Sequence, residues 1–168
     1  MALHFSKQEF EKRKIAILNS MKEQNLDALL MFRQESMFWL TGYDTFGYVF
    51  FQTLIIDQKG NIILLTRAPD LRQAQNTSNI EDIRIWVDKD QSNPTDDLKI
   101  ILNELNLKGK KIGIEYEAYG MTGRNALKLN KSLKDYCEVE DQSELITKHR
   151  VIKSQEEIVY VKKAAELA

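Results

Sequence analysis

The sequence predicts an α/β domain in which a mixed β-sheet lies between helices on both faces, three layers in all. Three observations carry this. Short apolar runs such as Ala28-Leu29-Leu30-Met31-Phe32 alternate with stretches of helical periodicity. Hydrophobicity in that run is continuous, the mark of a strand covered on both faces. One hairpin, turning at Asp57-Gln58-Lys59-Gly60, interrupts the series and makes the sheet mixed.

Each element has its own signal. Ser6-x-x-Glu9 is a capping box, with Phe5 placed to staple Phe10, so a helix is expected over 7–25. Phe10, Ile17 and Met21 share its apolar face, with Leu18 at the edge. After the strand at 28–32, 34–41 reads as a short aromatic helix closed by Gly42. Strands are expected at 50–56 and 62–66, a helix at 70–75 and a strand at 83–87. Pro94 with Asp96 and Asp97 opens a helix whose stripe is Leu98, Ile101, Leu102 and Leu105. A strand at 111–114 and a helix at 122–133, with Ala126, Leu129 and Leu133 inward, follow. A short strand starting at Cys137 and a short helix at 143–147 complete residues 1–150, the expected α/β domain. Ser154-x-x-Glu157 is a second capping box, starting a helix at Gln155 that carries Ile158, Val161, Ala165 and Ala168 along one side and reaches Ala168 without a C-cap. Residues 151–168 are therefore expected to be a linker and the first helix of a following domain.

Composition narrows the function classes. A chain of 168 residues has the size of one domain. Its net charge of -1, with acids and bases interspersed, gives no basic face for nucleic acid. Cys137 is the single cysteine, so disulfides and cysteine zinc sites are excluded, and it reads as a small core residue of a strand. Residues 1–13 are polar, without the apolar centre of a signal peptide, and runs such as Ile62–Leu65 fall far short of a bilayer span. The expected location is the cytoplasm, with no membrane partner.

No complete catalytic or metal site is legible. His4 and His149 lack helical or alternating histidine partners, and both read as solvated surface residues. Gly120 and Gly123 precede a helix without a P-loop Lys-Ser pair, and no serine sits in a Gly-x-Ser-x-Gly elbow. The acid pairs Asp96-Asp97 and Glu156-Glu157 occupy first turns of helices, where they favour the dipole. The segment from Met37 to Tyr48 stands out instead. It gathers Phe38, Trp39, Tyr43, Phe46 and Tyr48 around Gly42, Gly47 and Asp44. Amphipathic rings on a glycine-punctuated loop suit a ligand or partner surface. Phe38 and Trp39 fit a core role equally well, whereas Tyr43, Asp44, Phe46 and Tyr48 read as surface. Arg67, at the end of a hairpin strand, is placed either to grip a carboxylate or to form a surface ion pair.

Four stretches together resemble the N-terminal domain of the creatinase, prolidase and aminopeptidase P family, the pita-bread metalloenzymes. They are Phe5-Ser6-Lys7-Gln8-Glu9-Phe10 with Arg13, Asn25-Leu26-Asp27-Ala28-Leu29-Leu30, Phe38-Trp39-Leu40-Thr41-Gly42-Tyr43, and Arg150-Val151-Ile152-Lys153-Ser154-Gln155-Glu156-Glu157-Ile158. The third is similar to the family's Tyr-Leu-Thr-Gly-Tyr/Phe segment, and the fourth to the linker before its catalytic domain. The likeness covers the whole chain. It implies a ribonuclease-H-like fold, a homodimer, and a separate C-terminal catalytic domain as this domain's own partner. That domain would carry two Asp, one His and two Glu binding one or two divalent metals (Mn, Co or Zn). This chain holds none of those positions, so it has no expected cofactor of its own.

By the same resemblance, the loop from Tyr43 to Tyr48 would reach over the partner subunit's active site. Tyr43, Asp44, Phe46, Tyr48 and Arg67 thus become the substrate-gating candidates. Creatinases hold the substrate carboxylate with an arginine in the strand after this loop. Here the stretch is Tyr48-Val49-Phe50-Phe51, which argues against creatine and leaves Xaa-Pro peptides and ectoine-like amidic metabolites open. The expected role is a non-catalytic domain of a metal-dependent hydrolase of C–N bonds. The alternatives are a non-enzymatic protein-binding module, as in members that have lost catalysis, and a free-standing small-molecule-binding domain.

Overall fold

The computed structural model describes residues 3–168. Its first helix, α1 (Lys7–Glu23), begins where the Ser6 hydroxyl accepts the Glu9 N–H at 3.1 Å, and Phe5 meets Phe10 edge-on at 6.1 Å between ring centroids. The reciprocal half of that capping box is not made. The Glu9 carboxylate turns to Arg13 at 3.0 Å, and the Ser6 N–H donates to Glu156 at 2.9 Å. The helix stops two residues before the expected Asn25, which sits in the left-handed region at φ 55°.

The strands are β1 (Ala28–Met31), β2 (Thr53–Asp57), β3 (Ile62–Arg67), β4 (Asp82–Trp86), β5 (Lys111–Ile114) and β6 (Glu138–Asp141), in the order β4-β3-β2-β1-β5-β6. Only β2 runs against its neighbours; β3 with β4, β1 with β5, and β5 with β6 are parallel. The mixed sheet expected from the hairpin is thus a parallel sheet with one reversed strand. Helices α4 (Pro94–Glu104) and α5 (Gly123–Leu133) cover one face with Leu98, Ile101, Leu102, Leu129 and Leu133 against Ala28, Leu30, Ile55, Ile112 and Ile114. The other face packs Leu29, Met31, Leu54, Ile56 and Leu64 against α1, α2 (Gln34–Thr41), α3 (Leu71–Thr77) and α6 (Leu145–Val151). The unbroken apolar run at β1 is explained: alternate side chains enter two different cores.

Boundaries moved where side chains compete for backbone groups. Residues 50–52 were expected in a strand, but β2 begins at Thr53 because Phe50 closes a turn onto the Gly47 carbonyl at 2.9 Å. Ala68–Asp70 form a 3-10 turn before α3, in place of a single helix over 70–75. The expected helix at 143–147 starts at Leu145, since Ser143 is held in a turn by the Asp141 carboxylate, which accepts its N–H at 3.0 Å. Cys137 lies just before β6 and not within it; it is half-buried, and burial pushes its thiol up to about 11.

The last helix, α7 (Gln155–Leu167), starts with the complete capping box of Ser154 and Glu157 and has no buried residue. Its first turns are tied to the domain. Glu156 accepts from the Ser6 hydroxyl at 2.6 Å, Glu157 faces Arg13 at 3.4 Å, and the Tyr160 hydroxyl donates to the His4 carbonyl at 2.7 Å. His149 is not the solvated surface residue that the sequence suggested. Its Nε2 meets the Ser20 hydroxyl at 2.9 Å, its ring packs 6.2 Å from Trp39, and burial pushes its pKa down.

Candidate functional site

The reversed strand decides where the aromatic loop goes. Because β2 is antiparallel, the segment that enters it lies at the same sheet edge as the carboxyl ends of β1, β3 and β5. Loop residues 42–52, the Arg67–Asp70 turn and residues 115–122 therefore meet at one edge. Gly42 ends α2 at φ 79°, a left-handed cap that costs a glycine nothing, and its N–H reaches the Phe38 carbonyl. The chain then turns inward. Tyr43 is fully buried rather than displayed on the loop. Its hydroxyl donates to Gln52 Oε1 at 3.0 Å and lies 3.4 Å from the Thr66 hydroxyl, and burial raises its pKa.

Beyond Tyr43 the loop alternates between anchors and exposed rings. Thr45 is buried and accepts the Gly47 N–H at 2.8 Å. A Cβ on Gly47 would stand 2.6 Å from the Asp70 carboxylate, which would have to move to admit it. Gly120 is the stricter case: its Cβ would fall 2.3 Å from the Phe50 backbone carbonyl, so the close passage of the two segments requires glycine there. Phe46 is 87% exposed and Tyr119 75%, with Tyr48, Val49 and Phe50 exposed beside them. Tyr48 meets Tyr119 edge-on at 5.6 Å, which ties the loop to the turn after β5. Arg67 pairs with Asp70 at 3.0 Å, and its guanidinium carbon lies 3.4 Å from the centre of the Phe50 ring.

Of the sequence candidates, the structure gathers Phe46, Tyr48 and Arg67 at this patch. Asp44 stands nearer α2, exposed, with its backbone N–H on the Thr77 hydroxyl at 3.1 Å and its carboxylate 3.5 Å from Gln34 Nε2. Arg67 takes the ion-pair alternative, with Asp70 as its partner. Tyr43 supports the loop from below. Sequence reasoning missed Val49, Phe50, Tyr119 and Asp70. The signal for Tyr119 was its place in an Ala-Tyr-Gly turn after a parallel strand, the end where α/β sheets bind ligands.

Between the parallel strands β1 and β5, whose following connections run to opposite sides of the sheet, that same edge is closed. Glu115 is fully buried there and accepts from the Phe32 and Arg33 N–H groups at 3.1 and 3.0 Å and from the Ser36 hydroxyl at 2.5 Å. It fills the position an anion would take at the start of α2. Burial nonetheless raises its pKa, outweighing the three donors. No group of three or more His, Cys, Asp or Glu able to hold a metal occurs among the described residues, so the divalent metal implied by the family resemblance finds no ligand set here. No helix among them is long and apolar enough to cross a membrane.

Residues 13–152 match the creatinase/prolidase N-terminal domain family. The chain is 28% identical to an uncharacterized hydrolase/peptidase of Sinorhizobium fredii over 96% of its own length and 43% of that protein's. It is 24% identical to the ectoine hydrolase of Halomonas elongata over 99% of itself and again 43% of the relative. The prolidase of Thermococcus sibiricus superposes with a TM-score of 0.77 at 21% identity, covering 96% of this chain and 42% of that one. The chain thus spans less than half the length of the curated relatives it matches.

Proposed function

Because the chain belongs to the creatinase/prolidase N-terminal domain family, we propose that it serves as the non-catalytic N-terminal domain of a metal-dependent hydrolase of C–N bonds. Its substrates in this reading are Xaa-Pro peptides or small amidic metabolites. The relatives support the hydrolase class: one is a hydrolase/peptidase and another an ectoine hydrolase. The ligands of the divalent metal would come from the catalytic partner domain, where the metal activates water for attack. The reading also carries a homodimer and a cytoplasmic location.

The observation that carries the gating role is the patch of Phe46, Tyr48, Val49, Phe50 and Tyr119 on a braced loop. Exposed rings cost solvation unless something covers them, and this loop is not free to fold back. Below it, Tyr43, Gln52 and Thr66 are linked by hydrogen bonds, and the Arg67–Asp70 pair supports Phe50. Such a fixed surface can cover a substrate, exclude water and orient the scissile bond without touching the metal. In the full-length dimeric enzyme, Tyr48→Ala and Arg67→Ala should raise KM or lower kcat about tenfold, roughly one lost orienting contact. Metal content should stay unchanged. Wild-type kinetics, or losses fully matched by a fall in Tm, would assign these side chains to the fold alone.

A further inference from the structure

Two helices of this domain share one N-terminal cap. In a complete capping box the glutamate three residues past the N-cap accepts the N-cap's own N–H. Glu157 does this for Ser154 at the start of α7, at 2.8 Å. At the start of α1 the corresponding Glu9 carboxylate goes to Arg13, and Glu156 of α7 takes its place. The two Glu156 oxygens accept the Ser6 N–H at 2.9 Å and the Ser6 hydroxyl at 2.6 Å. That same hydroxyl accepts the Glu9 N–H at 3.1 Å, so Ser6 caps α1 and grips α7 with one side chain.

The segment that carries Ser6 is a bridge. On its inner side Phe5 meets Phe10 of α1 and Phe38 of α2 edge-on, at 6.1 and 6.3 Å, and His4 lies 5.9 Å from Phe38. On its outer side Tyr160 of α7 packs 5.4 Å from Phe5 and 6.1 Å from His4, and its hydroxyl donates to the His4 carbonyl at 2.7 Å. The joint between α6 and α7 has no such support. Val151 and Ile152 are exposed, and Ile152 is extended at φ -92° and ψ 115°. Lys153 donates only to the Arg150 and Val151 carbonyls beside it. No residue of α7 is buried, so core packing does not aim it. Its direction is left to residues 4–6 and to Arg13, which faces Glu157 at 3.4 Å.

We propose that residues 4–6 form a clasp that sets the direction in which α7 leaves the domain, through the cap shared by Ser6 and Glu156 and the seat of Tyr160 on His4 and Phe5. With the clasp open, α7 swings about the extended joint at residues 152–153. Its bearing on gating rests on the reading above, in which a catalytic domain follows α7: the closed clasp then holds that domain at a fixed angle to the aromatic patch. The test uses neither that domain nor turnover, so failure of the clasp and failure of the hydrolase reading are separate results. The 168-residue chain, carrying Cys137→Ser, is spin-labelled at Lys131→Cys on α5 and Lys162→Cys on α7, both exposed, and the distance between labels is read by double electron–electron resonance. With Ser6, Glu156 and Tyr160 intact, one narrow distance is expected. Ser6→Asp keeps a good N-cap on α1 but sets a second carboxylate against Glu156, and it should lose the narrow distance with helix content unchanged. Tyr160→Ala should lose it too. Adding Glu156→Gln to Ser6→Asp offers an amide donor to the introduced carboxylate and should restore it. A broad distribution with the clasp intact, or a narrow one kept in both Ser6→Asp and Tyr160→Ala, would overturn the proposal. So would a loss in Ser6→Asp that Glu156→Gln does not reverse.

Discussion

Two buried charges show how single residues organise this domain. Arg13 is 3% exposed, yet it reaches Glu9 at 3.0 Å, the Trp39 carbonyl at 2.7 Å and Glu157 at 3.4 Å, with the Phe5 ring stacked on it. It links α1, α2 and α7 through one planar group, which a lysine could not do. Glu115 is the acidic counterpart, joining β1, β5 and the start of α2. Its replacement by glutamine would turn an amide N–H₂ toward backbone donors, so Glu115→Gln should cost about 1–3 kcal/mol. The pH dependence has a definite sign. A carboxyl whose folded pKa is raised binds its proton more tightly in the folded state, so its contribution is full below the ordinary glutamate value and is lost as pH rises through the folded value. The stability gap between wild type and Glu115→Gln should therefore narrow from acidic to neutral pH in urea titrations. A gap that widens over that range would contradict the raised pKa.

Among the elements, α7 differs most from the rest. No residue of it is buried, and Val159, Val161 and Leu167 are exposed apolar side chains. A helix of 13 residues is marginal on its own, so its persistence depends on the ties at its first turns. Hydrogen exchange should show low protection from Val161 to Leu167, far below that of Leu29 to Met31, whose amides lie in a fully buried strand. Equal protection in the two segments would mean that α7 has a packing partner. The Glu156 tie also has a pH signature. Hydrogen bonds from Ser6 hold the Glu156 carboxyl below the ordinary glutamate value, so the tie is fully present above that value and is lost as pH falls through the lowered one. Protection of the early turns of α7 should fall on acidification over that window.

For the molecule as a whole, the division of labour is between a rigid three-layer body and the surfaces at its carboxyl edge. The 168-residue chain, purified and supplied with Mn, Co or Zn, is expected to hydrolyse no Xaa-Pro dipeptide and to retain no stoichiometric metal after dialysis, since the acids and histidines among the described residues do not converge. Turnover above buffer that survives repurification would refute this. The body was largely legible in the sequence. Helical periodicity, capping residues and apolar runs are local signals, and they placed α1, α2, α4, α5 and the hairpin within a few residues of where they lie. The aromatic loop was legible as a segment through its glycines and rings. Which of its rings face water was not: Tyr43 and Phe46 are both aromatic residues of one short loop, yet one is fully buried and the other 87% exposed. Only the tertiary structure decided that, because Gln52 and Thr66 offer partners to the Tyr43 hydroxyl, and nothing covers Phe46 among the described residues. The same holds for Glu115, Arg67 and His149, whose surroundings come from residues distant in the chain or across a turn. Sequence spacing determines which backbone forms a strand or helix through short-range sterics and hydrogen bonding; the burial and protonation of a polar side chain depend on what long-range packing brings beside it.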